Sequence, residues 1–204
     1  MPTLFESFQS RAQAVSAEVH RLSTRAEALE FILDLVRSLE GDRIQPSFAV
    51  WAACPFLDGL DTAALTERAP GLAFQVTRGS ASTATVGISQ MDLGLADTGT
   101  LVQNATAVEQ RLVSTLPSVH IAIVATEAIV PDLGAALSRF YAKDGKDPSK
   151  QQSAASPPPY LSFITGPSRT ADIERVLTIG VHGPERLIIV CVDELCLNGL
   201  GGGQ

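Results

Sequence analysis

Two periods alternate along the chain. Leu4, Phe8, Val15, Val19 and Leu22 recur at helical spacing with polar and charged residues between them, which predicts an amphipathic helix over 3–22. Thr24 with Glu27 three residues on is a capping-box pattern that opens a second helix running to Gly41, with a buried stripe of Ala28, Phe31, Ile32, Leu35, Val36 and Leu39. Together they make an N-terminal helical segment, 1–42, that packs on the rest of the chain as a cover for a sheet or leaves a partner surface. From Ser47 the period changes: Phe48 to Trp51 reads as a buried strand ending before Cys54-Pro55, Asp61 to Ala69 as a short helix, and Leu72 to Val76 as the next strand. Val119 to Val124 and Leu187 to Val192 are continuous apolar runs, the mark of strands covered on both faces. Pro131 starts a helix through Tyr141 at the position that tolerates proline best. The alternation predicts an α/β domain over 43–198, its central strands parallel and covered by helices. Lys143 to Pro159, rich in lysine, serine, glutamine and proline, reads as a mobile loop, and Gly199 to Gln204 as a disordered tail.

Composition narrows the class. At 204 residues with 45% hydrophobic and 18% charged positions, one domain can bury a core without staples. A formal charge of -7 argues against nucleic acid as a partner. Cys54, Cys191 and Cys196 form no CxxC pair, and the histidines His20, His120 and His182 are scattered, so neither a metal site nor a disulfide framework is expected and no cofactor is assigned. His120 reads as a core residue and His20 as a surface one. No run of about eighteen apolar residues occurs and the opening segment is too polar for a signal peptide, so the expectation is a cytoplasmic protein without a membrane span.

Chemistry concentrates where the apolar run Leu161 to Thr165 stops at Gly166-Pro167. Ser168, Arg169 and Thr170 then bring two hydroxyls and a planar cation, a set suited to phosphate or carboxylate, with Asp172 placed to orient the arginine. If 168–175 open a helix, its free N–H groups add to the preference for an anion, and equally Ser168 could only cap that helix while Arg169 pairs with Asp172 or Glu174. Upstream, Leu93 to Ala96 and Thr100 to Val102 flank Asp97-Thr98-Gly99 as a tight hairpin that aims Asp97 at a strand end or lets it bond its own backbone. His182, between Gly180 and Gly183, is a second group able to move a proton, or a hydrogen-bonding strut. Gly79 to Thr83 reads as a further anion-binding turn or as a serine-rich helix start.

These pieces carry a resemblance. Thr165 to Glu174, followed by Gly180-Val181-His182-Gly183-Pro184, resembles the C-terminal signature of the lactate-utilisation (LUD) domain family, in particular its protein C branch. Leu95 to Thr100 resembles that domain's central Ala-Glu-Thr/Ser-Gly-Thr element, and Pro117 to Ile121 its Leu-Pro-x-x-His-Ile strand entry, in the family's order over residues 72–193. The resemblance implies a fold similar to that of sugar-phosphate isomerases and CoA transferases. It implies a non-redox accessory protein in the oxidation of L-lactate to pyruvate, working beside iron-sulfur lactate-utilisation proteins. It also implies a small-anion site made from Thr98, Gly99, Thr100, Gly166, Ser168, Arg169 and Thr170, with Asp97 and His182 as candidate catalytic groups. Asp97 stands where most of the family carry glutamate; the shorter arm weakens the case for acyl transfer and suits binding or proton transfer better. The other reading is an independent transferase or isomerase acting on a small phosphorylated, carboxylated or CoA-linked substrate.

Overall fold

Thr3 opens the first helix, α1 (Leu4–Ala14): its hydroxyl accepts from the Glu6 N–H while the Glu6 carboxylate accepts from the Thr3 N–H. The computed structural model, which describes residues 1–40, 48–142, 160–171, 177–179 and 183–195, ends this helix well short of the expected Leu22. Ser16 turns into the left-handed region at φ 71° and Glu18–Leu22 continues as a strand, β1. His20 therefore lies on a strand, half-buried with its ring 4.7 Å from that of Phe31. The next helix, α2 (Arg25–Glu40), starts where its sequence says it should, because Thr24 and Glu27 cap each other. Its most buried stripe is Ala28, Ile32, Leu33 and Val36, with Phe31, Leu35 and Leu39 packed at its margin.

The chain then runs β2 (Ala49–Trp51), α3 (Thr62–Arg68), β3 (Leu72–Ala73), α4 (Arg78–Thr83), β4 (Val86–Gln90), β5 (Leu93–Leu95), β6 (Thr100–Asn104), α5 (Val108–Thr115), β7 (Val119–Ala125), β8 (Ile129–Val130), α6 (Leu133–Ala142), β9 (Leu161–Ile164), β10 (Arg169–Ala171), β11 (Leu177–Ile179) and β12 (Arg186–Val192). Six strands form one sheet in the order β1-β12-β7-β4-β2-β3, with every neighbouring pair parallel. The two continuous apolar runs are its central strands, β7 and β12, and are buried on both faces. Side chains such as Ile121, Ile123 and Leu187 are sealed from water, each worth roughly 2 kcal/mol in buried apolar surface. Ile32 and Val36 of α2 pack with Trp51 and Ile88 on one face; Ala81 of α4 and Val113 of α5 pack with Val50 on the other.

β1 is what the helical spacing of Val15, Val19 and Leu22 concealed. It pairs with β12 in the register Glu18↔Ile188 to Leu22↔Val192, and Arg186–Glu18 and Arg21–Asp193 ion pairs, each 2.9 Å, bracket the pairing. Pairing with residues far along the chain outweighs the local period. A second, four-stranded sheet in the order β8-β5-β6-β9 sits beside the first, antiparallel at β5-β6 and β6-β9, and β10 pairs with β11 as a two-stranded ribbon. Pro131 precedes α6 instead of opening it, since the Asp132 carboxylate accepts the Ala135 N–H at 2.8 Å. The expected loop over 143–159 and tail over 199–204 lie outside the described residues.

Candidate functional site

The β5–β6 hairpin forms as its sequence predicts. Gly99 takes φ +67° and its N–H donates to the Leu95 carbonyl at 2.9 Å, closing the turn. The Asp97 N–H donates to the Pro131 carbonyl at 3.1 Å, while the side chains of Asp97 and Thr98 stay exposed. The inner side of the turn is packed backbone to backbone: a Cβ on Gly99 would lie 2.2 Å from the Ala12 nitrogen of α1. Thr100, just inside β6, is buried and its hydroxyl shares a 2.8 Å hydrogen bond with that of Thr165.

Thr165 follows β9 and leads into the second turn. Gly166 takes φ +72°, and a Cβ there would lie 2.5 Å from the Val15 carbonyl oxygen at the end of α1. Ser168 then donates its N–H to the Pro184 carbonyl at 2.8 Å, and Gly183 comes so close to Ser168 that an added Cβ would sit 3.2 Å from the serine's own. The structure thus brings Gly99, Thr100, Thr165, Gly166 and Ser168 together around the C-terminal end of α1. That helix end presents carbonyls and a partial negative charge, so the face open to an anion is the outer one, where Thr98 lies.

The helix that residues 168–175 could have opened does not start at Arg169: Arg169–Ala171 is strand β10, paired antiparallel with β11 in the register Arg169↔Ile179. Among the described residues no helix begins at this segment, and the Ser168 N–H is already spent on Pro184. Asp172 and His182 lie outside the described residues; for Arg169 and Thr170 the strand alone is described. The 79–83 segment resolves toward its plainer reading, since Thr77 and Ser80 cap α4 reciprocally.

Sequence reading passed over polar groups at the other sheet. His120 on β7 is fully buried, as expected, and its Nε2 shares a 2.8 Å hydrogen bond with the Ser89 hydroxyl of β4, but its Nδ1 has no partner among the described residues. Burial pushes the imidazole down to about 4, so it is neutral at pH 7. At the carboxyl ends of the parallel strands, three side chains pin the loop after β2. Gln110 donates to the Ala53 carbonyl at 2.8 Å, Gln90 accepts the Phe56 N–H at 2.7 Å, and the Arg25 guanidinium donates to the Phe56 and Asp58 carbonyls, each at 2.6 Å. The one sequence signal for this region was an apolar strand ending in tryptophan ahead of Cys54-Pro55.

Among known proteins, the chain is similar to lactate utilization protein C of Macrococcus caseolyticus (39% identical over 114 residues, 56% of this chain and 46% of that one). It is similar to lactate utilization protein C 1 of Bacillus mycoides (37% over 114 residues, 56% and 46%) and to protein C of an Exiguobacterium species (35% over 121 residues, 59% and 50%). Each match spans about half the length of the curated relative. In fold, the chain is similar to the crystal structure of a DUF162 family protein from Deinococcus radiodurans, with a TM-score of 0.59 at 18% identity over 93% of this chain and 96% of that one. The LUD domain model matches residues 5–192, from α1 through β12, and the chain belongs to the LUD domain family.

Proposed function

We propose that this protein acts in lactate utilisation as a protein of the protein C type. In this reading it is a non-redox, cytoplasmic accessory subunit working beside iron-sulfur proteins in the oxidation of L-lactate to pyruvate. The observation that carries the reading is the 35–39% identity to lactate utilization proteins C, within a family match over 5–192. The fold class of sugar-phosphate isomerases and CoA transferases fits the parallel sheet and gives a scaffold for small-anion binding.

The anion is held on the outer face of the two turns. Thr98, Ser168 and Thr170 supply hydroxyls, Arg169 supplies the charge with Asp172 orienting it, and Gly99, Thr100 and Gly166 set the backbone. The Thr100–Thr165 hydrogen bond supports this by tying the two turns into one unit. Asp97, exposed at the same rim, and His182 are the groups able to move a proton.

Thermal shift of the full chain with L-lactate, phosphate and sulfate tests the site. A ligand at a hundred times its Kd adds about 2.7 kcal/mol to stability, and the shift is expected to vanish in Arg169→Ala. No shift with any of the three anions overturns the anion site. Retention of the full chain on its own, with no iron-containing protein co-purifying from cells grown on L-lactate, overturns the accessory role.

A further inference from the structure

A cleft of about 400 Å³ opens at the carboxyl ends of β2 and β3 beside Trp51, Phe74 and Cys54. Trp51 is sealed from solvent and its indole N–H bonds the Cys54 side chain, so that donor is closed to a ligand. The stronger feature is the outer edge of β9.

The two larger sheets end in four edge strands, β1, β3, β8 and β9. An open edge is a row of unpaired backbone groups, and proteins that stay apart blunt it with charge, proline, a bulge or brevity. Three of the four edges are blunted. β3 and β8 are two residues long each, and β1 carries Glu18 and Arg21, both exposed and both ion-paired. β9 has none of these devices. Tyr160 to Gly166 contains no charged residue and no proline, and the register with β6 runs unbroken from Leu101↔Ile164 to Asn104↔Leu161.

The ladder shows which groups are left open. The Ala105 N–H donates to the Tyr160 carbonyl at 3.0 Å. Bonds alternate along an antiparallel pair, so Tyr160, Ser162 and Ile164 turn their main-chain groups toward β6, while Leu161 and Phe163 turn theirs outward, where they meet no partner among the described residues. Apolar surface lies on both faces of this edge. Phe163, 48% exposed, stands on the Val102 face; Tyr160, 55% exposed, stands on the other with the Arg111 guanidinium of α5 stacked 4.5 Å from its ring.

Charge selects the occupant. At a formal charge of -7, two copies of this chain repel across most of their surface, and a partner drawn by charge gains nothing at a neutral strand. A second copy meets no like charge along β9. The strand is also self-complementary: a two-fold axis perpendicular to the sheet at Ser162 sets Leu161 against Phe163 of the second copy, so the outward groups of each satisfy those of the other.

We propose that β9 is the seam of a homodimer, the edges of two copies pairing antiparallel about Ser162 and joining two four-stranded sheets into one. The seam does not depend on the anion site or on the role in lactate utilisation.

Sedimentation of the full chain over about 1 to 100 μM tests it, since a short edge gives a small interface of roughly micromolar strength. The mass is expected to rise from 21.5 kDa toward twice that value. Phe163→Lys, at an exposed position, should weaken the association at least about tenfold. Mixing Phe163→Lys with Phe163→Glu should restore it, because position 163 of one copy is the diagonal neighbour of position 163 of the other, roughly 7–8 Å away. A chain that stays monomeric throughout, a dimer untouched by Phe163→Lys, or a mixture no stronger than its components overturns the proposal. Should Phe163→Lys fail to fold, hydrogen exchange of the unaltered chain decides in its place. The amides of Leu161 and Phe163 should slow as concentration rises, while those of Ser162 and Ile164 stay slow throughout. Slow exchange at Leu161 and Phe163 at every concentration would mean that the chain covers its own edge, and fast exchange at every concentration that nothing does; either overturns the homodimer.

Discussion

The two regions that look most like sites are built in opposite ways. At the turns around α1 the glycines are fully accounted for by packing: Gly99 and Gly166 adopt positive φ and meet the backbone of Ala12 and Val15, so no ligand is needed to explain them. At the carboxyl-end cleft the packing leaves open space beside Trp51 and Phe74, within walls that three distant side chains hold in place. Residues that mark a family can thus mark a junction between elements. Among the described residues of that junction, packing leaves the side chains of Asp97 and Thr98 exposed.

Breaking the junction should have the largest effect. Gly99→Ala places a methyl group 2.2 Å from the Ala12 nitrogen in a left-handed conformation, and neither α1 nor the turn can yield without losing its own hydrogen bonds. Loss of roughly 3 kcal/mol or more is expected in denaturant unfolding, with Gly166→Ala close behind because it meets the Val15 carbonyl. Thr98→Ala on the exposed side of the same turn should stay within about 0.5 kcal/mol. Equal effects at Gly99 and Thr98 would show that the turn is not a packed junction.

The buried polar pair in the parallel sheet comes next. His120 is held near 4 by burial, below the ordinary 6.5, so the unfolded chain binds a proton at pH values where the folded chain does not. Its contribution is fully present above about pH 6.5 and is lost as the pH falls toward 4, a decline of roughly 3 kcal/mol over that window. Unfolding midpoints at pH 7 and pH 5 measure it. His120→Leu should flatten this part of the pH dependence; an unchanged slope would assign it to other groups.

How much of this was legible follows from how local each cause is. The α2 cap was readable because Thr24 and Glu27 carry the whole device within four residues, and the β5–β6 hairpin because Gly99 at the left-handed position specifies the turn. β4 went unread because Gly87 and Ser89 interrupt its apolar pattern, for reasons that lie elsewhere in the chain. The space a Gly87 Cβ would take is filled by the Val113 carbonyl, and Ser89 is there for His120. β1 was misread for the same kind of reason, its partner being β12 at the far end of the chain. Of the candidate site, the two turns were visible in the sequence; their meeting at α1 and the strand at Arg169 were not, since both depend on tertiary pairing. Nothing local links Trp51 to Phe74 or to Arg25, so beyond the apolar strand ending at Trp51 the cleft had no sequence signature.

The smallest effects should come from the ion pairs along β1, and they separate charge from packing at the strand that leads away from the junction. Arg21 pairs with Asp193 at 2.9 Å with both side chains substantially exposed, and its guanidinium also lies 4.7 Å above the Phe5 ring of α1. Arg21 holds the Asp193 carboxyl below the usual range, so this small contribution is present above the ordinary carboxylate pKa and fades as the pH falls below it. Exposure limits Asp193→Asn to about 0.5 kcal/mol, and salt near 1 M should abolish the difference. Arg21→Gln removes the cation over Phe5 as well, so it should cost about 0.5–1 kcal/mol more, and that excess should survive salt. If the two substitutions cost the same at every ionic strength, Arg21 contributes nothing to holding α1 against β1, and the packing of Ala12 and Val15 on the two glycine turns carries that contact alone.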